Sequence, residues 1–138
     1  MSDIDLNFNR ETDVPPDKPV EAGYYDAIVA GVKFEKLDAP IGSLPAGCEV
    51  ARIQYRIESD NPDYSGKYIR PFPIPVRGHK DSWRWFDWCG RMGYDTKAGF
   101  SFSENDVVNT PVVLKFAPPR AGKDGKMYDA LETVERKV

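Results

Sequence analysis

His-Lys-Asp-Ser-Trp-Arg-Trp-Phe-Asp-Trp-Cys-Gly-Arg-Met-Gly-Tyr, residues 79–94, is the one stretch of the chain with a clear helical period. Asp81 or Ser82 can cap its N-terminus, since a short side-chain oxygen accepts from the free amides of a first turn. Trp83, Phe86 and Cys89 fall on one side at helical spacing, and Trp85, Trp88 and Met92 form an adjacent stripe. Gly93 sits where a helix stop favours a residue tolerant of positive φ. All three tryptophans lie here. The pattern assigns them to a core, with Trp85 or Trp88 as the alternative: a solvent-facing stacking platform. Three strand-like runs precede this helix and two follow it.

Going upstream, Gly66–Pro75 is strand three. Pro71, Pro73 and Pro75 remove amide donors at a period of two, which suits a sheet edge and excludes a central position. Tyr68, Arg70, Phe72 and Ile74 then share a face. Gly47–Glu58 is strand two, with Ala51, Ile53, Tyr55 and Ile57 facing one way and Arg52, Gln54, Arg56 and Glu58 the other. Asp60, Asn61, Pro62 and Asp63 mark the turn between the two. Gly23–Phe34 is strand one, apolar on both faces, and Gly31 within it signals a bulge. Residues 35–46, broken by Pro40, Gly42 and Pro45, form a loop.

Downstream, residues 95–109 read as a polar connection whose Phe100 and Phe102 tuck back onto the core. Thr110–Ala117 is strand four, Pro118–Gly125 a loop and Lys126–Val134 strand five. The sequence therefore predicts a mainly β domain over residues 22–138. Its order, with one helix between strands three and four, is that of an OB-fold, a five-stranded Greek-key barrel. An open sheet covered by one helix is the runner-up. Residues 1–21 contain Pro15, Pro16 and Pro19 and little apolar periodicity, and read as a flexible acidic arm. Alternation of Ile4, Leu6 and Phe8 would also let the arm add as an edge strand.

The 138 residues carry a formal charge of −3. Residues 1–21 hold six acids against two bases, so the remainder is nearly neutral, with seventeen basic and sixteen acidic residues. An acidic total therefore leaves room for a local basic groove. No run is long and apolar enough to span a membrane, and the N-terminus is no signal peptide, so a cytoplasmic location is expected. Cys48, Cys89 and His79 are too few for a structural zinc site, so no metal or other cofactor is expected. Gly-Lys-Asp-Gly-Lys at 122–126 lacks the setting of a phosphate-binding loop and reads as a hairpin turn. No catalytic constellation is present, so the chain is not expected to be an enzyme.

Basic and aromatic residues are interleaved on strands two and three: Arg52, Arg56, Lys67, Tyr68, Arg70, Phe72 and Arg77. Single-stranded nucleic acid needs this mixture, since cations track phosphates and flat rings stack on bases. Lys115 on strand four and Arg120, Lys123 and Lys126 around the last loop complete the candidate binding set. OB-folds bind between the loop joining strands one and two and that joining strands four and five.

Pro-Val-Glu-Ala-Gly-Tyr-Tyr-Asp-Ala-Ile-Val (19–29) and Gln-Tyr-Arg-Ile-Glu-Ser (54–59), leading to Tyr-Ser-Gly-Lys-Tyr-Ile (64–69), resemble bacteriophage and prophage OB-fold proteins that bind single-stranded DNA. So do Asn-Thr-Pro-Val-Val-Leu-Lys-Phe (109–116) and Gly-Lys-Met-Tyr-Asp (125–129). The similarity is diffuse and covers about residues 19–136. It implies coating of single strands during replication or recombination in a bacterial host cell, with replication or recombination proteins as further partners and a homo-oligomer as an open possibility. Several such proteins end in an acidic tail. This sequence reads Glu-Arg-Lys-Val at 135–138 and has its acidic segment at residues 1–21 instead. The competing expectation is an OB-fold used for protein contact, as an assembly factor or an inhibitor of a host enzyme.

Overall fold

A computed structural model describes residues 18–97 and 99–137. Its elements are β1 (Gly23–Lys36), β2 (Glu49–Ile57), β3 (Tyr68–Ile69), β4 (Ile74–Pro75), α1 (Trp83–Arg91), α2 (Glu104–Val107), β5 (Pro111–Ala121) and β6 (Met127–Arg136). All strand pairs are antiparallel. The sheet runs β3-β2-β1-β5-β6, and β4 also pairs with β2. The chain is thus mainly β, as its alternation predicts. Among the described residues no ladder joins β3 or β4 to β6, so the sheet has an open seam there.

The bulge expected at Gly31 is present. Val29 pairs with Tyr55 and Gly31 with Gln54, so Ala30 is the extra residue. At this kink β1 leaves β5, and the amide of Val29 donates to the Thr110 carbonyl at 3.1 Å. The β2 alternation also holds: Ala51, Ile53, Tyr55 and Ile57 are buried.

Two strand readings and one connection change. Strand three is two short pieces, because its register to β2 slips by one between Tyr55↔Ile69 and Ala51↔Ile74. Four residues, 70–73, lie opposite three, and two of the four are prolines with no amide to give the ladder. The slip turns Ile74 away from the face of Tyr68, Arg70 and Phe72, and it packs against the core. At the other end, β5 runs on through Pro118 and Pro119 to Ala121, where a loop is expected. The register shifts between Ala117 and Arg120, and the prolines fall within that irregularity, where no regular ladder is interrupted. The connection at 95–109 contains the single turn α2, which buries Val107.

Ser82, one of the two expected caps, occupies the N-cap position of α1, but its hydroxyl accepts from the His79 amide at 3.3 Å and caps no first-turn amide. The end of α1 follows the predicted glycine stop. Gly93 has φ of 103°, its amide donates to the Gly90 carbonyl, and the Tyr94 amide reaches back to that of Cys89. Trp85, Trp88, Cys89 and Met92 are buried, whereas Trp83 is 60% exposed. The exposed tryptophan is therefore Trp83 and neither Trp85 nor Trp88, because the core stripe runs i, i+3, i+4, i+7 from Trp85. Phe102 tucks back as expected, its ring 5.0 Å from that of Trp85.

The arm reading for residues 1–17 lies outside the described residues. Its last residues belong to the body. Val20 is fully buried, its amide donates to Asp129 Oδ1 at 2.6 Å, and the Lys18 carbonyl accepts from Lys67 Nζ.

Candidate nucleic-acid interface

Two residues of β2 and β3 meet directly: Arg56 and Tyr68 are cross-strand partners on the outward face. The Arg70 guanidinium lies 5.7 Å from the centre of the Tyr68 ring. Phe72 follows, 54% exposed. Its ring lies so close to Gly42, in the β1–β2 loop, that a Cβ there would be 3.1 Å from Phe72 Cζ. Gly42 also has φ of 55°, so both its conformation and its neighbour select glycine. The loop itself is held by a small cluster of Leu37, Leu44 and Val50. Tyr68, Arg70 and Phe72 thus form a stripe leading to the β1–β2 loop.

Across the open seam stands β6. A cleft of about 400 Å³ separates residues 69–72 from Tyr128–Glu132 and Arg120. Pro71, Pro73 and Pro75 leave the near wall without donors for a regular ladder, which is why a gap can persist between the two edges. Arg120 and Tyr128, cross-strand partners next to the β5–β6 turn, both line the cleft. Tyr128 is half exposed, and its hydroxyl donates to Asp124. That bond holds the Asp124 carboxyl below its ordinary range and raises the Tyr128 phenol. Lys123 and Lys126 are exposed on the same turn.

Charge pairing sorts the predicted residues. Arg52 pairs with Glu35, Arg56 with Glu58 at 2.6 Å, Arg77 with Glu49 at 2.8 Å and Lys115 with Glu132 at 3.4 Å. Lys67 is tied down more firmly. Its side chain is only 12% exposed and holds Asp129 at 3.4 Å as well as the Lys18 carbonyl. Among the described residues, Arg70, Arg120, Lys123 and Lys126 have no acidic partner. The fold therefore brings Arg70, Phe72 and Arg120 together at the seam, with Tyr68 beside Arg70 on the adjoining sheet face. It leaves Arg77 at a separate hollow beside His79, and Lys115 beside Tyr24 on the outer sheet face.

Tyr128 is the cleft residue that sequence reasoning did not single out. Its neighbours in Gly-Lys-Met-Tyr-Asp were legible as a turn leading into a strand, but the sequence carries no sign of which edge that strand would face. Among the described residues no His, Cys, Asp or Glu cluster could hold a metal ion, and no helix is long and apolar enough to cross a membrane. Compared with known proteins, the chain matches no family model and no curated relative.

Proposed function

We propose that the protein binds single-stranded DNA with little sequence preference, on an OB-type sheet, in phage-type replication or recombination. The observation that carries this reading is the seam. Arg70 and Arg120, which have no acidic partner among the described residues, line it with the exposed rings of Phe72 and Tyr128, and the ring of Tyr68 lies beside Arg70. Cations next to accessible flat rings are what an unpaired strand requires. The pairing of β1 with both β2 and β5, with α1 inserted before β5, supports an OB-type architecture. So does the position of the cleft between the β1–β2 loop and the β5–β6 turn. Phosphate attraction is centred on the seam, because the arginines of the outer sheet face are matched by acids.

Titration of the full chain with fluorescent oligo-dT at two salt concentrations tests the proposal. Binding should weaken as salt rises, since cations on the protein displace condensed counterions. Duplex DNA should bind less well because its bases offer no free faces. Absence of binding at low salt and tens of micromolar protein would remove this reading and favour the protein-contact module.

A further inference from the structure

We propose that the single-strand track continues past the cleft onto helix α1, where Trp83 and Arg84 form a second stacking site. This rests on the single-strand reading above. A second hollow of about 450 Å³ adjoins the first and shares Pro71, Phe72, Leu131 and Glu132 with it. Its far wall is α1, and its apolar lining includes Ile53, Ile74 and Val134.

Two features mark an occupant. The first is charge. Asp87 is matched by Arg91 at 3.1 Å and Glu132 by Lys115. Among the described residues Arg84 has no acidic partner, so this wall presents a surplus cation. The second is the ring. Trp83 is the exposed tryptophan of the three, and the Arg84 guanidinium lies 5.8 Å from its ring centre. A flat ring held beside an unmatched guanidinium, at the end of a groove that already carries Phe72 and Arg70, suits one more base and its phosphate. A peptide partner would gain little from the unmatched cations unless it were acidic. The matched acids and free arginines favour a polyanion.

Oligonucleotide length separates the two stretches of the track. OB-type sites take about 4–16 nucleotides each. A short oligo-dT, at the lower limit, fills the cleft alone, and one near the upper limit reaches α1. With the long strand, Trp83→Ala should lower affinity about 5- to 150-fold, the range of one lost base stack. With the short strand it should bind like the parent. Arg84→Ala should flatten the salt slope for the long strand by about 0.7. Because Trp85 and Trp88 are buried, tryptophan quenching on binding should come from Trp83 and vanish in Trp83→Phe. If labelled DNA binds the parent but tryptophan emission does not change, and Trp83→Ala binds the long strand normally, the α1 site is wrong while the cleft stands. If the parent binds no single strand at all, both fall together.

Discussion

The indole N–H of Trp88 donates to the Tyr55 hydroxyl at 2.8 Å, inside the core, and so ties α1 to the C-terminal part of β2. Burial drives the Tyr55 phenol well above its ordinary pKa, although the bond from Trp88 works the other way. Tyr55→Phe keeps the ring and removes the acceptor, leaving a buried indole N–H unpaired. It should cost about 1–3 kcal/mol in urea unfolding. A variant as stable as the parent would mean that the indole finds another acceptor.

Arg70 and Lys67 should separate binding from stability. Arg70→Ala and Arg120→Ala should each weaken oligo-dT binding and flatten the salt slope by about 0.7, with unfolding midpoints unchanged. Lys67→Ala should instead lower stability, because it releases Asp129 and the Lys18 carbonyl at once. Salt-slope measurements beside thermal melts check the contrast.

The exposed rings should behave differently again. Tyr68→Ala and Phe72→Ala should weaken binding by about 1–3 kcal/mol with the salt slope intact. Neither ring is in the core, so circular-dichroism melts should move little. A loss of several kcal/mol in stability would assign the ring to packing instead.

Truncation should show a sharp boundary. A chain beginning at Lys18 keeps Val20 and its bond to Asp129, and should melt like the parent. One beginning at Ala22 loses a fully buried valine, worth about 1.5–3 kcal/mol, and the Asp129 contact with it. Removing residues 1–17 also takes away five acids and one arginine. That should tighten single-strand binding at low salt, where charge competition is least screened. Equal affinities at low salt would exclude such competition.

Alkaline pH should destabilise the fold through Cys89. Burial pushes its thiol up to about 12 from an ordinary 9.0. The folded state then keeps a proton that the unfolded chain releases, so stability is complete below pH 9 and declines as pH rises toward 12. Tyr55 acts in the same direction. Cys89→Ala should make the urea midpoint fall less steeply over that interval. Alkylation of native protein at neutral pH should modify partly exposed Cys48 and spare buried Cys89.

What the sequence revealed followed from local chemistry. Gly31 announced its bulge, Gly93 its helix stop, and β2 its inward and outward faces, because each depends on residues close along the chain. The exposure of Trp83 was missed, because Trp83, Phe86 and Cys89 also fall at helical spacing, and only packing against the sheet selects the stripe from Trp85 to Met92 as the buried one. The slip before Ile74 was missed as well. It depends on how four residues settle opposite three on another strand, and period-two counting cannot register an inserted residue. Charge pairing was equally hidden. Arg56 and Arg70 look alike in sequence, but only the fold sets Glu58 against Arg56 and leaves Arg70 beside Tyr68.

The seam also bears on how copies of the chain behave in a crowded solution. Strand β6 has ten residues and, among the described residues, pairs with β5 alone, so its second edge is a template on which a foreign strand could zip. The obvious strand to meet it, residues 70–75 of the same or another molecule, is spoiled as a partner by Pro71, Pro73 and Pro75. Asp129, Glu132, Glu135 and Arg136 put charge along β6 itself. The same prolines that keep the groove open thus discourage edge-to-edge aggregation, and one device provides both access and solubility.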